Sequence, residues 1–161
     1  MIRLYIFILV FLFSNVSSLE IKCNFEEVYS DSSIQNGFFL IKDKKLRYEY
    51  YSPDLFTLFH NNDQFLFVKN NDRDVINRVS DNTEIIQELM SIASKYPDIE
   101  KEYISKNLSV NIEKELDGNF VKRISIISPQ TKMSIYLNDC KILTINDRFF
   151  SHNPFFEYKF N

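Results

Sequence analysis

Polar and apolar residues alternate with a period of two along most of the chain. Leu46, Tyr48 and Tyr50 interleave with Lys45, Arg47 and Glu49, the signature of a strand with one buried and one solvated face. Ile21, Cys23 and Phe25 alternate in the same way ahead of the polar stretch 30–35. Gly37 then opens the apolar run 38–41, and Asp43-Lys44 makes the next turn. The polar triplet 61–63 separates 56–59 from 65–68, which predicts a hairpin. Further on, Leu108, Val110 and Ile112 alternate again, Asp117-Gly118 is a hairpin turn that tolerates positive φ, and segments 120–127, 132–137 and 141–145 continue the meander. One segment departs from this pattern. Over 83–96, Ile85, Ile86, Leu89, Met90, Ile92 and Ala93 recur at helical spacing, with Asp81, Asn82 or Thr83 to cap the start and Pro97 to stop it. Segment 98–104 reads as a short second helix. The expected class is mainly β (α+β): an antiparallel sheet interrupted near its middle by an amphipathic helix.

The first eighteen residues read differently. Arg3 and the amino terminus supply positive charge, 4–13 is an unbroken apolar run, and Val16-Ser17-Ser18 offers small residues for cleavage. This predicts a secretory signal peptide over 1–18, cut after about Ser18, and an exported, periplasmic domain over 19–161. The run is short of the roughly 20 residues a membrane span needs; an uncleaved anchor is the alternative. Cys23 is a poor lipid-attachment site, because Lys22 stands where a small residue is wanted. Cys23 and Cys140 are the only cysteines, so export makes them a candidate disulfide, against the alternative of two separate buried thiols. With His60 and His152 they show no zinc-ligand spacing.

Composition narrows the chemistry. A domain of this size is a single one by length, and 45% hydrophobic residues suffice for a real core. The net charge of −3 comes without a basic stripe, which argues against nucleic acid as a partner. No nucleophile elbow, phosphate-cradling glycine loop or zinc-protease motif is present, and two glycines in the whole chain leave little scope for backbone-built oxyanion sites. Glu26 and Glu27 read as a solvated pair. These features point to binding rather than to an enzyme, with no cofactor and no metal.

The segment GFFLIKDKKLRYEYYSPDLFTLFHNNDQFLFVKNNDRDVINRV, residues 37–79, resembles the core of the periplasmic lipoprotein carriers, the LolA-like proteins. The resemblance rests on Gly37 at the start of a strand, Lys42 at its basic end, Leu46-Arg47-Tyr48-Glu49-Tyr50, Ser52-Pro53 and the turn at Asn62-Asp63, with a helix at 84–96 and the ending IYLNDCKILTIND. The chain departs from that pattern in three places: it has little room for a helix before the first strand, Asp43-Lys44-Lys45 replaces an Arg-Pro turn, and it stops at Asn161. The resemblance implies a curved antiparallel sheet or incomplete β-barrel with a helical lid over an apolar cavity. That cavity would hold lipoprotein acyl chains during transfer from the inner to the outer membrane. It also implies an inner-membrane release complex and an outer-membrane acceptor as partners, and a monomeric carrier. The alternative is a periplasmic lipid-binding or envelope-sensing module of the same fold without lipoprotein transport. An esterase using the cavity would need a Ser or Asp near His60 or His152. One-face sets nominate Phe39, Ile41, Tyr48, Tyr50, Phe65, Phe67, Leu89 and Met90 as the cavity lining, though a one-residue slip of register would invert them. Arg47 matches the family's strand arginine, with a structural or orienting role.

Overall fold

The pairing of successive alternating segments produces strands β1 (Glu20–Tyr29), β2 (Ile34–Lys42), β3 (Lys45–Tyr50), β4 (Phe56–Asn61), β5 (Gln64–Lys69) and β6 (Ile76–Arg78). Helix α1 (Glu84–Ala93) follows, then β7 (Glu102–Ile104), β8 (Ser109–Lys114), β9 (Val121–Ile127), β10 (Lys132–Ile142) and a 3₁₀ turn at Asp147–Phe150. This computed structural model describes residues 20–61, 64–78, 84–93, 95, 99–118, 120–129 and 131–152. The expected signal segment 1–18, the flanks of the expected helix and the 62–63 turn lie outside the described residues.

All ten strands form one open antiparallel sheet in the order β6-β5-β4-β3-β2-β1-β10-β9-β8-β7. The fold is mainly β. Two meanders, β1–β6 and β7–β10, meet where β1 pairs with β10, so the connection carrying α1 runs from one edge of the sheet to the other. Tight turns set the register. Lys42 pairs with Lys45 across the turn at Asp43, whose φ is 53°, a left-handed conformation that Asp adopts with less strain than bulky residues. Gly118 occupies the same region at φ 73° between β8 and β9.

Segment 98–104 does not supply a second helix: Glu102–Ile104 is edge strand β7, paired with β8 from Glu102↔Asn111 to Ile104↔Ser109. Cross-strand bonding to β8 overrides a local pattern too short to nucleate a helix of its own. The segment 141–145 is likewise not a separate strand, because β10 continues to Ile142.

The sheet is covered on both faces at β2. Phe39 and Ile41 point to one side, whereas Phe38 and Leu40 pack with Ile145 and Phe150 on the other. The continuous apolar run at β2 thus behaves as a strand buried on two faces. The covering segment is fastened by Lys42, whose Nζ lies 3.1 Å from Asp147 Oδ1 and 3.2 Å from Glu20 Oε1 and donates to the Ile145 carbonyl at 2.8 Å. Lys45 adds an ion pair with Asp147 at 2.9 Å. This cover overturns the expected solvated face of β3. Arg47 is 1% exposed, lies between the rings of Phe38 and Phe59 at 5.6 and 5.5 Å, and donates Nε–H to Glu49 at 2.7 Å and Nη1–H to the Phe149 carbonyl at 3.5 Å.

Candidate functional site

The opposite face of the sheet lines a partly open cavity of about 280 Å³. Its wall draws on both meanders: Phe39, Ile41, Leu46, Tyr48, Tyr50, Phe56, Leu58 and Phe67 from β2–β5, and Ile112, Val121, Ile124, Met133, Ile135 and Leu137 from β8–β10. Ile21, Cys23 and Glu27 come from the shared strand β1, and Leu89, Met90 and Ile92 from α1. In α1, Leu89 and Ile92 are one turn apart, so a single face of the helix meets the cavity.

Seven of the residues nominated from alternation stand in this wall: Phe39, Ile41, Tyr48, Tyr50, Phe67, Leu89 and Met90. Phe65 does not. It is buried with Leu46 and Leu58, its ring 4.5 Å from that of His60. His60 Nδ1 bonds to the Lys44 carbonyl at 2.9 Å. Neither His60 nor His152 belongs to the wall, and Arg47 lies on the other face of its strand.

Cys23 and Cys140 are joined by a disulfide in the wall. Strict alternation on β10 would turn Asp139, not Cys140, toward the side of Ile135 and Leu137. A bulge changes that parity: Lys22 pairs with Lys141 but Asn24 with Asn138, so Cys23 faces two residues, and Asp139 takes φ 50°. The extra residue brings the Cys140 sulfur round to Cys23.

Glu27 is the residue that alternation read wrongly. Far from being solvated beside Glu26, it is 2% exposed and, among the described residues, is the single acidic side chain in the cavity wall, with no basic one there. It continues the inward set Ile21, Cys23, Phe25 on β1, and following that parity one step further would have found it. Three tyrosine hydroxyls donate to its carboxylate: Tyr48 to Oε1 at 2.6 Å, Tyr29 to Oε2 at 2.6 Å and Tyr50 to Oε2 at 2.9 Å. Burial, reinforced by the neighbouring Glu27 charge, pushes the Tyr29 hydroxyl up to about 12, and drives Tyr48 and Tyr50 further above the ordinary tyrosine range for the same two reasons. All three therefore remain neutral donors through the physiological range.

Gly37 makes this arrangement possible. It lies on β2 opposite Phe25 on one side and Tyr50 on the other. With no side chain there, the Phe25 ring lies across the strand and stacks on Tyr48 at 4.1 Å, edge-on to Tyr50 at 5.4 Å. A Cβ at Gly37 would strike the Glu49 carbonyl oxygen and the Phe25 ring, whose Cε1 would lie 2.7 Å away. Tyr48 and Tyr50 must reach from β3 over β2 to β1, two strand spacings or about 9–10 Å; the long phenol side chain and the gap over Gly37 allow it.

Among the described residues no group of three or more His, Cys, Asp and Glu side chains stands close enough to hold a metal ion. The site offers a concave apolar surface and one hydrogen-bonded carboxylate. No protein-family model matches the chain, and no curated protein matches it in sequence.

Proposed function

We propose that this protein is a periplasmic carrier of the LolA type, which holds lipoprotein acyl chains in its cavity while they cross from the inner to the outer membrane. The observation that carries the reading is the cavity wall, contributed by both meanders and by α1 and almost wholly apolar. Strands near opposite ends of a ten-stranded sheet can share one cavity when the sheet curls into an incomplete barrel, and α1 then acts as its lid. Burying a CH₂ is worth about 0.8 kcal/mol, so ten methylenes supply roughly 8 kcal/mol without any precisely placed polar group. Release requires only an acceptor that binds the chains better, or a state in which the lid is displaced. The chemistry is binding rather than catalysis, and a release complex and an acceptor would act at either end of the journey.

A second reading, a lipid-binding or envelope-sensing module of the same fold, is favoured by the size of the site. The cavity of about 280 Å³ lies just below the roughly 300–1,000 Å³ usual for ligand pockets. Native mass spectrometry of protein recovered from a periplasm separates the two. A bound acylated lipoprotein is the expected result. Bound free lipid transfers the assignment to the second reading. An empty protein that also fails to bind a neutral fluorescent alkyl probe refutes both.

A further inference from the structure

The acyl-chain reading leaves Glu27 unused, since hydrocarbon has no need of a buried carboxylate. Its surroundings are unusual for a structural acid. Among the described residues no Lys, Arg or His forms an ion pair with it, although six other ion pairs occur in the same set. A buried carboxylate without a counter-ion is costly, and hydroxyl donors offset only part of that cost. The hydroxyls also leave an opening. Among the described residues Oε2 accepts from Tyr29 and Tyr50 and Oε1 from Tyr48, and a carboxylate oxygen accommodates two donors. Glu27 lines the cavity, so it is the acid that a ligand held there would meet. Tyr48 and Tyr50, their rings packed 5.6 Å apart, hold the carboxylate in place by their hydroxyls.

We propose that Glu27, with Tyr48 and Tyr50, forms a head-group subsite selective for an amphiphile whose polar end is a protonated amine. This rests on the cavity's taking an alkyl chain, and extends it by naming the chemistry at the root of that chain. The ammonium donates an N–H to Glu27 Oε1 and supplies the missing counter-charge, while the chain runs along the wall toward Phe39, Leu89 and Met90. A carboxylate-headed amphiphile of the same length meets like-charge repulsion at this end of the cavity, and an alcohol meets neither attraction nor repulsion of charge.

Isothermal titration with dodecylamine, dodecanol and laurate, each below its aggregation concentration at pH 7, tests this on the full domain. Dodecylamine is expected to bind at least about 10-fold tighter than dodecanol, the ratio a charge-assisted hydrogen bond supplies, and laurate more weakly than either. In Glu27→Gln the amine-to-alcohol ratio should fall to within about 2-fold. Glu26→Gln, the same charge change one residue along the strand, should keep it. Equal binding of amine and alcohol to the wild type, or a preference that survives in Glu27→Gln, overturns the subsite and leaves the cavity reading standing. Failure of all three probes to bind overturns both. Should Glu27→Gln not fold, nuclear Overhauser contacts in the wild type decide instead. Contacts from the α-methylene of dodecylamine to the Tyr48 and Tyr50 rings are expected, and their absence in the bound complex refutes the orientation.

Discussion

Reducing the Cys23–Cys140 disulfide should destabilise the domain more than any single side-chain change at the cavity. The two cysteines are 117 residues apart in sequence, so the cross-link removes the closure entropy of nearly the whole domain from the unfolded chain. For a loop of that length the chain-entropy relation gives about 5 kcal/mol at 25 °C. The bond also ties β1 to β10, the seam between the two meanders, and its effect on the folded sheet is small because those strands are already paired. Urea unfolding of oxidised and reduced protein, followed by tyrosine fluorescence and circular dichroism, measures the difference. With a slope of about 2 kcal/mol/M, the midpoint should fall by roughly 2–3 M. The double variant Cys23→Ala/Cys140→Ala should behave as the reduced wild type does. Oxidised and reduced midpoints within 0.5 M of each other (an offset of about 1 kcal/mol at that slope) would refute the reasoning, since the unfolded chain would then gain almost no freedom on reduction.

Gly37→Ala should cost about 1–3 kcal/mol in urea unfolding, because the new methyl overpacks against the Glu49 carbonyl and the Phe25 ring; an unchanged midpoint would refute this close approach. Arg47→Met should cost about 3 kcal/mol, since it removes the guanidinium from its buried pairing with Glu49. Arg47→Lys should not restore that loss, because a point charge cannot reproduce the fork that also reaches the Phe149 carbonyl. Leu89→Lys should weaken binding of a neutral fluorescent alkyl probe by at least about 10-fold while the far-ultraviolet spectrum is kept, a charge having replaced apolar wall; full binding would remove α1 from the site. The tyrosines at Glu27 set an alkaline limit. Their folded values are raised above the unfolded 10.0, so their contribution is complete below pH 10 and declines as pH rises toward about 12, where Tyr29 ionises in the folded state. Phenolate absorbance should therefore lag in the native protein, and stability should fall steeply over that window; ionisation of every tyrosine at pH 10 without loss of structure would contradict it.

Period-two alternation was enough to locate most of the strands and, through them, much of the cavity wall. Phe39 and Ile41, Tyr48 and Tyr50 share a face because a strand has no other way to place them, and Leu89 and Met90 follow from helical spacing. What alternation misjudged has identifiable causes. Alternation sets Arg47 on the polar face of its strand, where a charged residue ordinarily meets water, yet residues distant in sequence, Phe149 and Phe150, close over it. Glu27 reads as one of a solvated pair because a carboxylate ordinarily faces water, and its partners Tyr48 and Tyr50 come from a strand two positions away in the sheet. Parity alone nominates Phe65, and parity cannot say where along the strand a cavity ends.

The sequence by itself determined the class of the fold, its helix and which residues of a central strand share a face, since these follow from local periodicity and turn chemistry. Only the tertiary structure decided the rest. It brought β10 to β1, with a bulge that turns Cys140 to Cys23, and it gathered three tyrosine hydroxyls on one carboxylate over a glycine. Those outcomes depend on which strands become neighbours across more than a hundred residues, and strand pairing is set by the global burial of apolar surface, which no local window of sequence contains.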